Sequence, residues 1–362
     1  PVLPDVPGRP NKEVLMSRQL QEIIEQPAVL HAVLEQYTRR TPILASIARE
    51  WALRSVRSHV VITGMGSSYS ASYPCATYLN NRGIPTFLVD TSELVHYQMQ
   101  LALKAGLLIV VSQSGESAEI RRLIAALPAD VPVIGITNSR HSRLAQRAQW
   151  VLELLAGDER TVASKTHTAT QLTLLLLAAY LAGDNRAVIM ADALRTIGAI
   201  ERLLKNWQAP IETAIDFLHG ASNLTIIARG YALGAAMAGA LVVEEVSRLQ
   251  AHAVSGGQFR HTGLETVRSD FYACMLIGED GTRNLMLDLA SEMAGYGGKL
   301  VLIGHDLPRN SGHVVIEMPG VGAPFMPLAH IVPLQLLAYS IAQRRGLEPG
   351  RLERLSKVIE TE

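Results

Sequence analysis

The chain writes one strand–turn–helix unit twice. "SHVVITGMGSSYSASYPCATYL" (58–79) returns as "NLTIIARGYALGAAMAGAL" (223–241), with Gly230 in the place of Gly66. "LLIVVSQSGESAEIRRLIAAL" (107–127) returns as "CMLIGEDGTRNLMLDLASEM" (274–293), with Gly281 in the place of Gly115, and "VPVIGIT" (131–137) is echoed by "KLVLIGH" (299–305). The same elements in the same order mark an internal duplication. In the first copy, apolar runs of strand length at 59–63, 86–90, 107–112, 131–137 and 150–154 alternate with amphipathic segments. That alternation predicts a parallel sheet covered by helices on both faces. The expected fold is α/β: two tandem doubly wound, flavodoxin-like domains, divided as 1–205 and 206–362, with helices ahead of the first sheet.

With 362 residues the chain can bury two such cores. Ahead of the sheet, "NKEVLMSRQLQEIIEQ" (11–26) has helical spacing, Pro27 is read as falling just past its end, and two or three helices are expected by residue 57. The first ten or so residues are expected to form a loose arm, without the pattern of a signal peptide. Lysine plus arginine and aspartate plus glutamate balance at 33 each, so no net field favours nucleic acid or an anionic membrane, and the partner is expected to be a small molecule. Cys75 and Cys274 lie in apolar stretches, which suits reduced thiols and a cytoplasmic setting. The run "LTLLLLAAYLAG" (172–183) is short of the roughly 20 residues of a membrane span and is read as a buried helix.

Chemistry concentrates in two serine-rich loops. "SQSGES" (112–117) follows a strand and precedes a helix, where unpaired N–H groups and the positive dipole end favour an anion without help from lysine. "GMGSSYS" (64–70) ends another strand of the same sheet, and ligands of doubly wound sheets bind at such carboxyl ends. The rival reading of "SQSGES" is a plain N-cap made by Ser114 with Ser117. Gly64 and Gly66 with Asp90 also suggest a dinucleotide fold, but Tyr69 stands where the third glycine belongs, and no Walker lysine follows. The second copy has Gly278, Asp280 and Arg283 where the first has Ser112, Ser114 and Ser117, and a carboxylate there would repel a phosphate. A phosphate site therefore belongs to the first half.

Taken together, "GMGSSY", "SQSGES", "VASKTHTATQL" (162–172), "VSGGQFRHTGLE" (254–265), "VPLQLLAY" (332–339) and "RLERLSKVIETE" (351–362) resemble the two-domain form of the sugar isomerase (SIS) family. The resemblance spans residues 40–362. It is closest in architecture to the isomerase half of glucosamine-6-phosphate synthases, and "GQFRHTGLE" also resembles fructoselysine 6-phosphate deglycases. It implies that Ser112, Ser114 and Ser117 hold the substrate phosphate beside Gln113, that Ser67 and Ser68 face the sugar, and that Val162 and Ser164 line the same cleft. It further implies Glu245 as the catalytic base, His261 as the ring-opening acid supplied by a neighbouring subunit of a homodimer, and Lys357 as a cationic group near the sugar.

Glu244 is a second candidate base, because periodicity alone does not decide which of the two glutamates points inward. His167 and His252 are read as bystanders. The synthase pattern is broken at Ala238, Val242 and Gln258 and by "HTG" at 261–263, which favours deglycation or deaminating isomerisation over synthase chemistry, as does the lack of an amidotransferase half to supply ammonia. No Cys/His or acidic cluster has metal-ligand spacing, and neither metal nor cofactor is expected. The alternative in another class is a sugar-phosphate sensor without turnover, although no helix-turn-helix or basic patch for nucleic acid is present.

Overall fold

The computed structural model describes residues 17–54, 58–278, 280–309 and 312–354. The predicted N-terminal arm and Lys357 lie outside the described residues. Two five-stranded, wholly parallel sheets are present. The first holds β1 (Val60–Gly64), β2 (Thr86–Asp90), β3 (Leu107–Val111), β4 (Val133–Thr137) and β5 (Trp150–Glu153) in the order β2-β1-β3-β4-β5. The second holds β6 (Asn223–Ala228), β7 (Gln250–Ser255), β8 (Tyr272–Ile277), β9 (Lys299–Gly304) and β10 (His313–Glu317) in the order β10-β9-β8-β6-β7. Counted from each sheet's own first strand, both orders are 2-1-3-4-5, so the duplication read in the sequence is a duplication of topology.

Strand residues alternate between two apolar layers. Val60, Ile62, Ile109 and Val111 face an inner core, while Val61, Leu108 and Val110 face an outer one. In the second sheet Ile226, Cys274 and Val301 join the same inner core, whereas Ile227, Met275 and Leu302 face a separate outer cluster. One continuous core therefore joins the two sheets across the division expected at 205/206, which falls between the helices Arg186–Lys205 and Gln208–Phe217. Helices Gly66–Asn81, Lys165–Ala182, Leu233–Ser247 and Met326–Arg344 fill the space between the sheets. The thiols of Cys75 and Cys274 are fully buried in this core, and burial pushes Cys274 up to about 12, so both behave as apolar packing groups.

Pro27 falls past the end of the helix Arg18–Ile24, as read from the sequence, and also sits in the opening turn of the next one, Gln26–Glu35, where its missing N–H costs nothing. The leucine run at 172–183 is buried as expected, within Lys165–Ala182. A longer apolar helix, Ala323–Arg344, has the length and composition to cross a membrane, but 89 % of its apolar window is buried inside the protein.

Candidate active site

Parallel register brings the serine loops together. Gly64, at the end of β1, pairs with Asp90 of β2 on one side and Val111 of β3 on the other, so the segments that begin at Met65 and Ser112 leave the sheet side by side at the point where strand order reverses. Gly66 takes φ +49 to turn from strand into helix, and Gly115 takes φ +67 within the second loop. A cavity of about 390 Å³ opens there. Its walls include Ser67, Ser68, Ser112, Gln113, Ser114 and Ser117 from the first half and Leu241 and Glu245 from the second.

The loop 112–117 is ordered by its own hydroxyls. Ser112 Oγ accepts from Gly115 N (3.1 Å), Ser114 Oγ accepts from Glu116 N (3.2 Å), and the Gln113 carbonyl accepts from Asn138 N (3.0 Å) and Thr137 Oγ1 (3.1 Å). The helix Ala118–Ala126 is capped by Ser117, not Ser114, and Ser117 makes no side-chain cap bond, so the plain N-cap pairing of Ser114 with Ser117 is not found. First turns of this helix and of Gly66–Asn81 both border the cavity, and neither has a side-chain cap. Among the described lining residues there is no lysine or arginine. An anion bound here would be held by amides, hydroxyls and helix dipoles.

A third helix N-terminus beside the cavity is already occupied. Glu159 accepts from the backbone N–H groups of Ser164 (2.9 Å) and Thr166 (3.0 Å) and from Thr166 Oγ1 (2.6 Å), neutralising the start of Lys165–Ala182. Ser164 is fully buried against this carboxylate and is not among the lining residues, whereas Val162, Thr161, Ala163 and Thr166 are. The wall is braced from the N-terminal helix: Glu22 accepts from Arg160 N (2.8 Å), Thr161 N (3.2 Å) and the Thr161 hydroxyl. Burial opposes the Glu22 charge, yet these bonds and the one from Arg18 outweigh it and hold the carboxyl below its usual range.

The packing of Leu233–Ser247 separates the two candidate bases. Ala238, Leu241, Val242 and Glu245 share a helical face turned to the first half, and Glu245 is half-buried at the cavity. Glu244 is exposed and accepts from Ala251 N (3.2 Å) at the start of β7. Asp90, the acid a dinucleotide fold would use, instead caps the helix Thr91–Tyr97 by accepting from Ser92 N and Glu93 N.

Residues 52–181, which carry both serine loops, match the SIS domain family. The chain carries a SIS domain. It is 32 % identical over 358 residues to a glutamine–fructose-6-phosphate aminotransferase (isomerizing) of Pyrobaculum aerophilum, covering 95 % of this chain and 57 % of that protein. The chain spans 57–59 % of the length of the curated relatives it matches. In structure it resembles the C-terminal domain of glucosamine-fructose-6-phosphate aminotransferase from Francisella tularensis (TM-score 0.82, 22 % identity, 93 % of this chain and 98 % of that one). It also resembles a glucosamine-6-phosphate deaminase from Thermotoga maritima (TM-score 0.73, 20 % identity, 95 % and 100 %).

Not every anticipated residue meets at the cavity. His261 is exposed in the last turn of the short helix Gly256–Thr262 and does not line the cavity of its own chain. His252 lies on β7, with Nε2 3.5 Å from Thr225 Oγ1. His167, dismissed with it from sequence, is buried with Nδ1 3.0 Å from Ser67 Oγ. Nothing local marked His167, which meets its partner only through tertiary packing, whereas the Glu159 partners Ser164 and Thr166 lie five and seven residues further along the chain. Among the described residues no cluster of His, Cys, Asp and Glu could hold a metal ion.

Proposed function

We propose that this protein binds a 6-phosphorylated amino sugar or sugar–amine adduct and releases its amine through aldose–ketose isomerisation. One observation carries the reading: a single cavity has a cradle of hydroxyls and amides on one wall and the Glu245 carboxylate, contributed by the other half of the chain, on another. The phosphate would bind along Ser112–Ser117, leaving the first two sugar carbons within reach of Glu245. Glu245 takes a proton from one of these carbons and returns it to its neighbour, which converts the C–N single bond into an imine. Water then adds to the imine, the C–N bond breaks, and amine and hexose phosphate leave. Deamination of a 2-amino aldose and deglycation of a 1-amino ketose share this sequence and differ in which carbon bears nitrogen.

His261 would open the sugar ring from the neighbouring subunit of a homodimer, in keeping with its exposure and its absence from its own chain's cavity. Lys357 would add a cation near the sugar. The test is incubation with glucosamine 6-phosphate, fructoselysine 6-phosphate and fructose 6-phosphate while released amine and hexose phosphates are assayed. Amine release that disappears in Glu245→Gln supports the proposal. Tight binding of all three without turnover would replace it with the sensor reading.

A further inference from the structure

Ser67 and His167 form a pair behind the sugar-facing wall. Each lies in the first turn of its helix, Ser67 in Gly66–Asn81 and His167 in Lys165–Ala182, with Oγ and Nδ1 3.0 Å apart. The histidine is 3 % exposed, and its other ring nitrogen, Nε2, is buried without a hydrogen-bond partner among the described residues. Both residues line a crevice of about 10 Å³, at the lower limit for one water, whose other polar walls are Glu245 and Gln335.

Burial pushes the His167 ring down to about 4, so at neutral pH it carries one proton, and one nitrogen donates while the other accepts. With the proton on Nδ1, Nε2 would bring a lone pair toward a crevice walled by a carboxylate. With the proton on Nε2, an N–H can reach that acceptor through a single water. Leaving a buried polar group unmatched is the costlier arrangement. The second tautomer has a consequence at the cavity: Nδ1 must accept the Ser67 O–H, so the serine oxygen has only lone pairs to offer a ligand.

We propose that His167 carries its proton on Nε2 and fixes Ser67 as a hydrogen-bond acceptor, making it a positioning residue that selects ligands presenting a hydroxyl or amine N–H at this wall. A phosphate, which presents acceptors, is turned from Ser67 toward the donors of 112–117, so the pair orients the substrate end for end. This rests on the sugar-phosphate reading of the cavity.

The tautomer can be measured without ligand or turnover, by NMR of the intact protein labelled with ¹⁵N-histidine, using His330→Asn to remove the other buried histidine from the spectrum. A neutral Nε2–H ring at pH 7 that persists to pH 5 is expected. A neutral Nδ1–H ring, or a charged one at pH 7, overturns the proposal. Binding supplies the second arm. His167→Leu should weaken glucosamine 6-phosphate about tenfold and leave inorganic phosphate within about twofold, while His167→Asn, whose carbonyl can accept the Ser67 proton, should restore the sugar phosphate. Equal weakening of both ligands would make His167 merely structural and sink the idea. If neither ligand binds the unaltered protein, it is the proposed function that fails, and the tautomer decides this inference alone.

Discussion

Asp280 fills, in the second half, the notch that Ser114 leaves open in the first. A Cβ placed on Gly230 would lie 3.4 Å from Asp280 Oδ2, while Oδ1 of the same carboxylate accepts from Thr282 N at 2.7 Å and Thr282 Oγ1 at 2.6 Å. Gly66, the counterpart of Gly230, and Ser114, the counterpart of Asp280, instead border the cavity together. The duplicated turn thus survives twice, but only the first copy presents hydroxyls and amides to a ligand.

Copying the second half into the first should therefore close the site to anions. Ser114→Asp is expected to weaken inorganic phosphate and hexose 6-phosphates at least about tenfold by like-charge repulsion, with little change in melting temperature because the position borders solvent-filled space. Isothermal titration calorimetry checks it, and unchanged affinity would detach the anion from this loop.

Gly115→Ala should cost both stability and binding. The residue has φ +67, and an added Cβ would lie 2.3 Å from Ser142 Oγ and 2.6 Å from Ser142 Cβ. Left-handed strain plus overlap predicts a loss of about 2–3 kcal/mol, read as a lower midpoint in urea, together with loss of phosphate binding.

The two adjacent glutamates should behave differently. Glu245→Gln is expected to lower turnover by roughly 10²-fold or more while sugar-phosphate affinity stays within a few fold. Glu244→Gln, altering an exposed side chain that bonds β7, should leave turnover within about twofold. Steady-state kinetics and equilibrium binding on both variants separate the roles.

A shared site makes complementation possible. His261→Ala and Glu245→Gln should each be inactive alone, and after subunit exchange an equal mixture should recover roughly a quarter of the activity, since half the dimers are mixed and each has one intact site. No recovery, with exchange confirmed by mass spectrometry, would place both groups in one chain's site or remove His261 from the chemistry.

Acid should weaken the fold before carboxylates titrate. Burial lowers both His167 and His330 to about 4 from the ordinary 6.5. Between these values the unfolded chain binds protons that the folded chain refuses, so stability falls as pH drops from about 6.5 toward 4, by on the order of 3 kcal/mol for each histidine. Urea denaturation across that range should show the slope, and His330→Asn should remove about half of it.

Much of this architecture was legible because buried parallel strands are written locally. Runs such as "HVVIT" and "LLIVVS" must be apolar on both faces, and they fall on β1 and β3 within a residue. β7 was not read as a strand because it lies at a sheet edge and is only partly buried, so "QAHAVS" lacks a continuous apolar signature, whereas "HVVIE" of β10 carries the same four-residue run as "HVVIT" and was legible but passed over. Pro27 lies both past the end of one helix and in the opening turn of the next, and only the observed turn shows the second role.

By itself the sequence determined the duplicated α/β plan and the serine loops, since strand, turn and helix start are adjacent in the chain and their chemistry needs no distant partner. Only tertiary structure decided that Glu245 rather than Glu244 reaches the cavity, and that His167 meets Ser67, 100 positions away along the chain. Those outcomes depend on which faces of remote helices are pressed together by the common core, and a side chain's direction across such a contact is not encoded in its neighbours.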